Sequence, residues 1–173
     1  ASVAHDLNSA LQVVGTALDT TGRDRAFLWQ DGTMTDLNSV VAAPDGWVLE
    51  FATGINDHGY IVGHGRFLEG DRGFLLVPIL PVADAKRLPD DSIAALQGVV
   101  VTAATGQITG RVYVEAPDRS SGIAVVTAAA LTEGDVATVA GAISTNTDGE
   151  RVIGSASAEV QGRQNPLLPV SMT

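Results

Sequence analysis

The chain has 173 residues, 45% of them hydrophobic, which is enough for packed cores and excludes a disordered chain as the starting assumption. Its net charge of −10, with Lys86 as the only lysine, would repel a phosphate backbone, so the sequence predicts no nucleic-acid partner. Cysteine is absent, which excludes disulfides and thiolate metal sites, and no apolar run reaches the roughly 18 residues that predict membrane insertion.

The first 78 residues contain two copies of one pattern, separated by about 48 residues. At a spacing of 48, the first copy and the second copy share these positions: Leu7, Asn8, Val13, Val14 and Gly15 with Ile55, Asn56, Ile61, Val62 and Gly63. At a spacing of 47, Arg25, Phe27 and Leu28 match Arg72, Phe74 and Leu75. Such a period, carried by short strands, predicts a repeat architecture in which each unit is a small antiparallel sheet.

A hairpin is predicted inside the first copy. Asp31-Gly32 separates two short β-prone runs, and both central residues of a type I′ turn need a positive φ.

The second copy resembles the HAF repeat of bacterial extracellular proteins. The resemblance is carried by the run Ile55-Asn56-Asp57-His58-Gly59-Tyr60-Ile61-Val62-Gly63, by Arg72-Gly73-Phe74-Leu75-Leu76 and by Arg25-Ala26-Phe27-Leu28-Trp29 in the first copy. It covers residues 1–78 and implies blade-like sheets in an array too short to close a ring. The first copy departs from the pattern, since Ala10 and Leu11 occupy a turn where glycine is expected.

Residues 79–92 are interpreted as a linker, and residues 93–173 as a second domain. Five β-prone runs separated by turns follow the linker, at Ile93–Ala104, Arg111–Ala116, Gly122–Ala128, Asp135–Ser144 and Glu150–Val160. In the second run Val112 and Val114 alternate with polar residues, as in a half-buried strand. Five short strands in about 70 residues predict a small β-barrel of the OB type. The predicted fold class is therefore all-β.

The second half also resembles OB-like domains appended to bacterial surface proteins. The matching segments are 84–90, 113–123 and 149–153, within a resemblance that covers about 80–170. This group has no agreed activity to carry over. Its members continue past the equivalent of Leu168–Met172, and this chain opens in mid-pattern at Ala1, so we expect a fragment or a processed form.

The polar clusters of the sequence favour structural roles over chemistry. His58 and His64 would lie nearly 20 Å apart along an extended chain, at about 3.3 Å per residue, so no metal site is predicted. Asn146–Glu150 has oxygen ligands but too few acidic positions for a calcium loop, which favours a hairpin turn. Asp118 and Ser120 are expected to shape a strand connection while Arg119 pairs with a carboxylate. The second half has no histidine, and no catalytic residue is predicted.

Four side chains are candidate ligand or partner contacts: Trp47, Tyr113, Arg111 and Arg119. Tyr113 is the aromatic residue of the predicted barrel. Trp47 could be a stacking platform, although we favour a place in the blade core for both tryptophans.

These features predict a non-enzymatic extracellular protein without a cofactor. The main hypothesis is a structural or adhesive cell-surface module with protein partners, self-assembling through the open β edges of its unclosed array. The alternative is a carbohydrate-binding module, with polysaccharide as partner. A third hypothesis is a hydrolase that uses carboxylates, but the sequence gives no argument that any two acidic residues lie close together.

Overall fold

The computed structural model describes residues 1–41 and 46–165, which form two compact units that divide between Pro78 and Ile79. The described residues are dominated by β-strands. Antiparallel sheets in the first unit and a closed five-stranded barrel in the second confirm the predicted all-β class. The segment Leu168–Met172, on which the expectation of a continuing chain rests, lies outside the described residues.

The first unit consists of two antiparallel sheets, one from each sequence copy. The four strands of the first sheet are β1 (Ser2–Leu7), β2 (Val13–Leu18), β3 (Asp24–Gln30) and β4 (Thr33–Asp36). A short 3-10 helix follows at Leu37–Ser39. The second sheet contains β5 (Trp47–Ile55), β6 (Ile61–Phe67) and β7 (Gly70–Leu76).

The turns of the first unit follow from local chemistry. Asp31 and Gly32, between β3 and β4, have φ values of 51° and 80°, which confirms the predicted hairpin turn. Before β2, the side-chain oxygen of Asn8 accepts hydrogen bonds from the backbone of Ala10 and Gln12. Asn56 makes the same pair of bonds before β6, to His58 and Tyr60. The two copies therefore share one asparagine-closed turn.

The two sheets pack face to face around one apolar core. Its buried residues are Val14, Ala26, Leu37, Leu49, Ala52, Ile55 and Ile61. At one end of this core the asparagine turns hydrogen-bond each other, since Nδ2 of Asn8 donates to the Asn56 carbonyl at 3.0 Å. The amide of Ser9 also donates to Asp57, which holds the pKa of that carboxyl below its ordinary value.

The second unit is a closed barrel in the order β10-β12-β11-β8-β9. Its strands are β8 (Ile93–Ile108), β9 (Arg111–Glu115), β10 (Gly122–Thr127), β11 (Asp135–Thr145) and β12 (Arg151–Arg163). All pairs are antiparallel except β10 with β12. This is the strand arrangement of a five-stranded Greek-key barrel, and it confirms the predicted OB-like architecture.

The barrel interior is filled by small and branched apolar side chains. Buried members, one from each of the five strands, include Leu96, Val114, Val125, Ile143 and Ile153. Because inward and outward side chains alternate along a strand, the polar residues of β9 are left on the outer surface.

Residues 79–92, which the sequence interprets as a linker, pack against the barrel. They contain helix α1 (Val82–Ala85), whose Val82 and Ala85 side chains are buried in the barrel core. The amide of Leu80 donates to the Ala95 carbonyl of β8. Arg151 of β12 reaches the Leu88 carbonyl and Asp90. The segment is thus a packed part of the second unit.

Among the described residues, no helix has the length and apolar character needed to span a bilayer.

Candidate ligand-binding face of the barrel

The outer face of β9 carries two of the predicted contact residues. Val112 and Val114 are buried in the barrel core, so Arg111 and Tyr113 project from the opposite side of the strand. In OB barrels, the face of the second and third strands, with the loops that flank it, binds ligands. β9 and β10 hold those two positions here. The structure thus places Arg111 and Tyr113 where this barrel type forms its site.

Glu150 joins these two side chains into one cluster. Its carboxylate accepts a hydrogen bond from Nη1 of Arg111 at 2.7 Å and another from the Tyr113 hydroxyl at 2.7 Å. A charged acceptor makes both bonds stronger than neutral ones. Glu150 was not predicted for this role from the sequence, because its partners lie 37 and 39 residues away.

The turn between β11 and β12 positions Glu150. Oδ1 of Asn146 accepts from the backbone amides of Asp148 and Glu150, and Nδ2 of Asn146 donates to the Glu150 carboxylate. The side-chain oxygens of Asn146 and Glu150 are therefore engaged within the predicted hairpin turn. No group of three or more metal-ligating side chains occurs within residues 1–41 and 46–165.

The cluster changes the acidity of Tyr113. The hydrogen bond to Glu150, together with burial and the negative charge of the same carboxylate, raises the pKa of the Tyr113 hydroxyl. The phenol therefore stays neutral and acts as a donor to Glu150. This fixes the ring against the β11–β12 turn.

A groove of about 310 Å³ opens beside Arg111, under the end of the β8–β9 hairpin. We call it the hairpin groove; its lining residues are Thr105, Gly106, Ile108, Thr109, Gly110, Arg111, Val112 and Thr127. Its volume falls at the lower end of the range of about 300–1,000 Å³ that is usual for small-molecule sites. Nε of Arg111 is buried and has no hydrogen-bond partner within the described residues. A ligand acceptor that hydrogen-bonded to this Nε would remove the free-energy cost of burying a donor without a partner.

Arg119 lies in the connection between β9 and β10. Its Nε is 3.7 Å from the carboxylate of Glu115, and Asp118 accepts a hydrogen bond from the Ser120 amide. Both contacts confirm the predicted structural roles of this connection. Arg119 has a φ of 62°, and its guanidinium balances an acidic neighbour.

Trp47 belongs to the first unit. It begins β5, is half-buried against the core between the two sheets, and its ring centroid lies 5.3 Å from that of Phe67. Trp29 is partly exposed on β3. The structure therefore gives Trp47 a packing role within the first unit.

A second, smaller groove of about 230 Å³ lies on the first sheet. Leu18, Phe27 and Met34 form its apolar wall. Its charged residues are already engaged, since Arg25 pairs with Asp19 at 3.1 Å and Asp36 caps the 3-10 helix. The hairpin groove is the stronger candidate because it adjoins the outer face of β9.

The histidines of the second copy make ring contacts. His64 of β6 stacks on Phe51 with a centroid distance of 4.7 Å, and His58 lies 5.9 Å from the Tyr60 ring.

Comparison with known protein families found no matching family, and comparison with curated proteins found no match. A solved structure that is similar to the chain is the crystal structure of the Ifi202 HINa domain in complex with 20-bp double-stranded DNA. It aligns with 92% of this chain and 98% of its own, at 12% identity and a TM-score of 0.41. A likeness at this level does not by itself assign an activity to the chain.

This comparison nevertheless corrects two predictions. The sequence predicted a structural or adhesive module, with a carbohydrate-binding module as the alternative, and it predicted no nucleic-acid partner. Both are contradicted, because the similar structure is a domain in complex with DNA. The exclusion of nucleic acid rested on a charge of −10 summed over the whole chain, and such a sum does not fix the potential at any one part of the surface.

Proposed function

We propose that the chain is a non-catalytic ligand-binding protein whose barrel binds a small, largely apolar organic molecule that carries a hydrogen-bond acceptor. The observation that carries the proposal is the hairpin groove, which adjoins the outer face of β9 beside the fixed Arg111–Tyr113–Glu150 cluster. Ligand sites are typically concave and mainly apolar, with a few placed polar groups.

The lining of the groove supports this class of ligand. Ile108, Val112 and the methyl groups of the threonines offer apolar contact, while the threonine hydroxyls and Arg111 offer hydrogen bonds. The Arg111 charge is balanced by Glu150, so a strongly charged ligand is not required. Because Glu150 holds the Arg111 side chain in place, less conformational entropy is lost on binding.

The test is a ligand-observed NMR screen of small organic compounds against the 173-residue chain, with backbone amide shifts to map each hit. We expect hits that move the amides of 105–112 and of Thr127. Ile108→Ser should weaken binding by about tenfold, the effect of losing one apolar contact of roughly 1.4 kcal/mol. Val160→Ser is the matched control, since Val160 is a partly exposed aliphatic residue outside the groove.

Three results would overturn the proposal. In the first, no compound shifts the groove amides, or both serine variants weaken binding equally. In the second, a bound compound is chemically converted, which would mark an enzyme. In the third, a 20-bp DNA duplex, tested at low and high salt, binds through Arg111 and Arg119 while no small molecule binds the groove.

We further propose that the first unit is a member of the HAF-type repeats, that the barrel belongs to the OB-like domains of bacterial surface proteins, and that the protein is extracellular. The support is the pair of asparagine-closed turns at the repeat spacing and the barrel topology. Antibody detection in medium and cell fractions of the source organism tests the location, and a signal confined to the cytoplasm would refute it.

A further inference from the structure

The two repeat sheets expose equivalent residues very differently. Four residues of the first sheet face the second sheet: Val14, Thr16, Ala26 and Leu28. Val14 is fully buried, and Thr16 donates its hydroxyl hydrogen to the Glu50 carbonyl of β5 at 2.9 Å. This face of the first sheet is therefore covered by its neighbour.

The equivalent residues of the second sheet are exposed. At the repeat spacings of 48 and 47 these are Val62, His64, Gly73 and Leu75, which we call the outer repeat face. Val62 pairs directly with Leu75, and His64 with Gly73, so all four share one side of the sheet. Val62 is 47% exposed and Leu75 is 51% exposed.

The polar contacts show the same asymmetry. Asn8 is only 5% exposed, because its Nδ2 donates to Asn56 of the following copy. Asn56 forms the same turn but is exposed. In the first copy, the backbone amide of Ser9 is bound by Asp57 of the second. Asn8 and Ser9 thus join the first copy to the second, and the equivalent residues of the second copy, Asn56 and Asp57, are exposed.

We infer that the outer repeat face is a docking surface for a further β-sheet of the same repeat pattern, one that presents an Asn-Asp-x-Gly turn. The occupant is identified by the contact already present between the two copies. It offers an apolar face for Val62 and Leu75, a backbone carbonyl for Nδ2 of Asn56, and an aspartate for the amide of Asp57. The contact is made between sheet faces and does not use pairing of strand edges.

The test adds such a sheet to the full chain. A duplicate of residues 31–77 inserted after Val77 preserves the repeat spacing, because Gln30 is equivalent to Val77 at 47 residues. The chain has no native cysteine, so a single Val62→Cys thiol reports exposure of the outer repeat face. Leu18→Cys is the matched control, since Leu18 is 46% exposed and lies on the other sheet.

We expect the inserted sheet to slow maleimide labelling of the Val62→Cys thiol by about tenfold or more, the factor that corresponds to burying one aliphatic side chain. Labelling of Leu18→Cys should not change. A Leu49→Lys substitution in the duplicate alone should restore fast labelling, because the original Leu49 is buried between the sheets.

A folded chimera in which Val62→Cys stays as reactive as Leu18→Cys would overturn the inference. A second chimera carries a ten-residue Gly/Ser segment before the duplicate, so that a strained connection can be distinguished from a failure to dock. Loss of the fold in both chimeras would also overturn the inference. In the unextended chain, protection of Val62→Cys that grows with protein concentration would identify a second copy of the chain as the occupant instead.

Discussion

Asn8 and Asn56 are 48 residues apart in the sequence, and the side chain of the first donates directly to the backbone carbonyl of the second at 3.0 Å. Each also closes its own turn through Oδ1. One residue type therefore both shapes the turn within a copy and joins successive copies. The join is directional, because Asn8 is buried by it and Asn56 is not.

Asn8→Asp should destabilise the first unit by about 1–3 kcal/mol, because the change keeps the turn acceptor but removes a buried donor and adds a buried charge. Asn56→Asp makes the same change at an exposed site and should cost less than about 0.5 kcal/mol. Urea unfolding followed by tryptophan fluorescence measures this unit, since Trp29 and Trp47 both lie in it. Equal losses for the two variants would contradict the directional contact.

Gly63→Ala should also destabilise the first unit, by about 1–3 kcal/mol, as overpacked sites do. A Cβ at this position would strike the Phe51 carbonyl oxygen and the Phe74 ring. Gly73→Ala, on the neighbouring strand, is the control, since the nearest atom to its Cβ would be 3.7 Å away. The same fluorescence assay applies, and a Gly63→Ala protein as stable as the control would refute the close approach.

Local patterns in the sequence predicted the parts of the fold that depend on neighbouring residues. Asp31-Gly32 specified its turn because both residues need a positive φ, and the valines of β9 specified its inward face. Leu11 shows the limit of this reasoning. It has a φ of 58° where the second copy has Gly59 at 76°, because the Asn8 side chain holds the turn in that shape.

The candidate site was only partly predictable. Arg111 and Tyr113 could be selected from the sequence because alternation places them outside the barrel. Glu150 could not, since it meets them only after the β11–β12 turn folds back on β9. The hairpin groove also went unpredicted, because the sequence pattern ended the strand at Ala104 and the structure continues it to Ile108.

Glu150→Gln should lower the pKa of Tyr113 toward the ordinary value near 10, because the substitution removes the charged acceptor. Ultraviolet titration in a Tyr60→Phe background isolates this phenol, since the chain has two tyrosines. The raised pKa means that the folded state holds the proton more tightly than the unfolded state. The stabilisation is therefore complete below about pH 10 and is lost as the pH rises through the folded pKa.

An unchanged titration in Glu150→Gln would show that Glu150 does not set the acidity of Tyr113. Glu133→Gln serves as the control, because the half-buried Glu133 carboxylate accepts a hydrogen bond from Gln107 and is not among the groups that shift the pKa of Tyr113.

Asp19 provides a second titration, in the turn between β2 and β3. Hydrogen bonds from the Thr21 hydroxyl and the Arg23 amide lower the pKa of its carboxyl to about 2, with a smaller contribution from the Arg25 charge. The folded state thus binds this proton more weakly than the unfolded state. Its stabilisation is present above the ordinary value of 3.8 and is lost as the pH falls toward 2.

Thr21→Val should therefore raise the pKa of Asp19 toward 3.8, since the largest cause of the shift is the Thr21 hydroxyl. Carboxyl-carbon NMR titration of Asp19 measures the change directly. Thr20→Val is the control, because the adjacent threonine is exposed and does not contribute to the shift. If both variants leave the pKa near 2, the backbone amides alone hold the carboxylate. If both raise it equally, the turn itself has opened and the hydroxyl has no specific role.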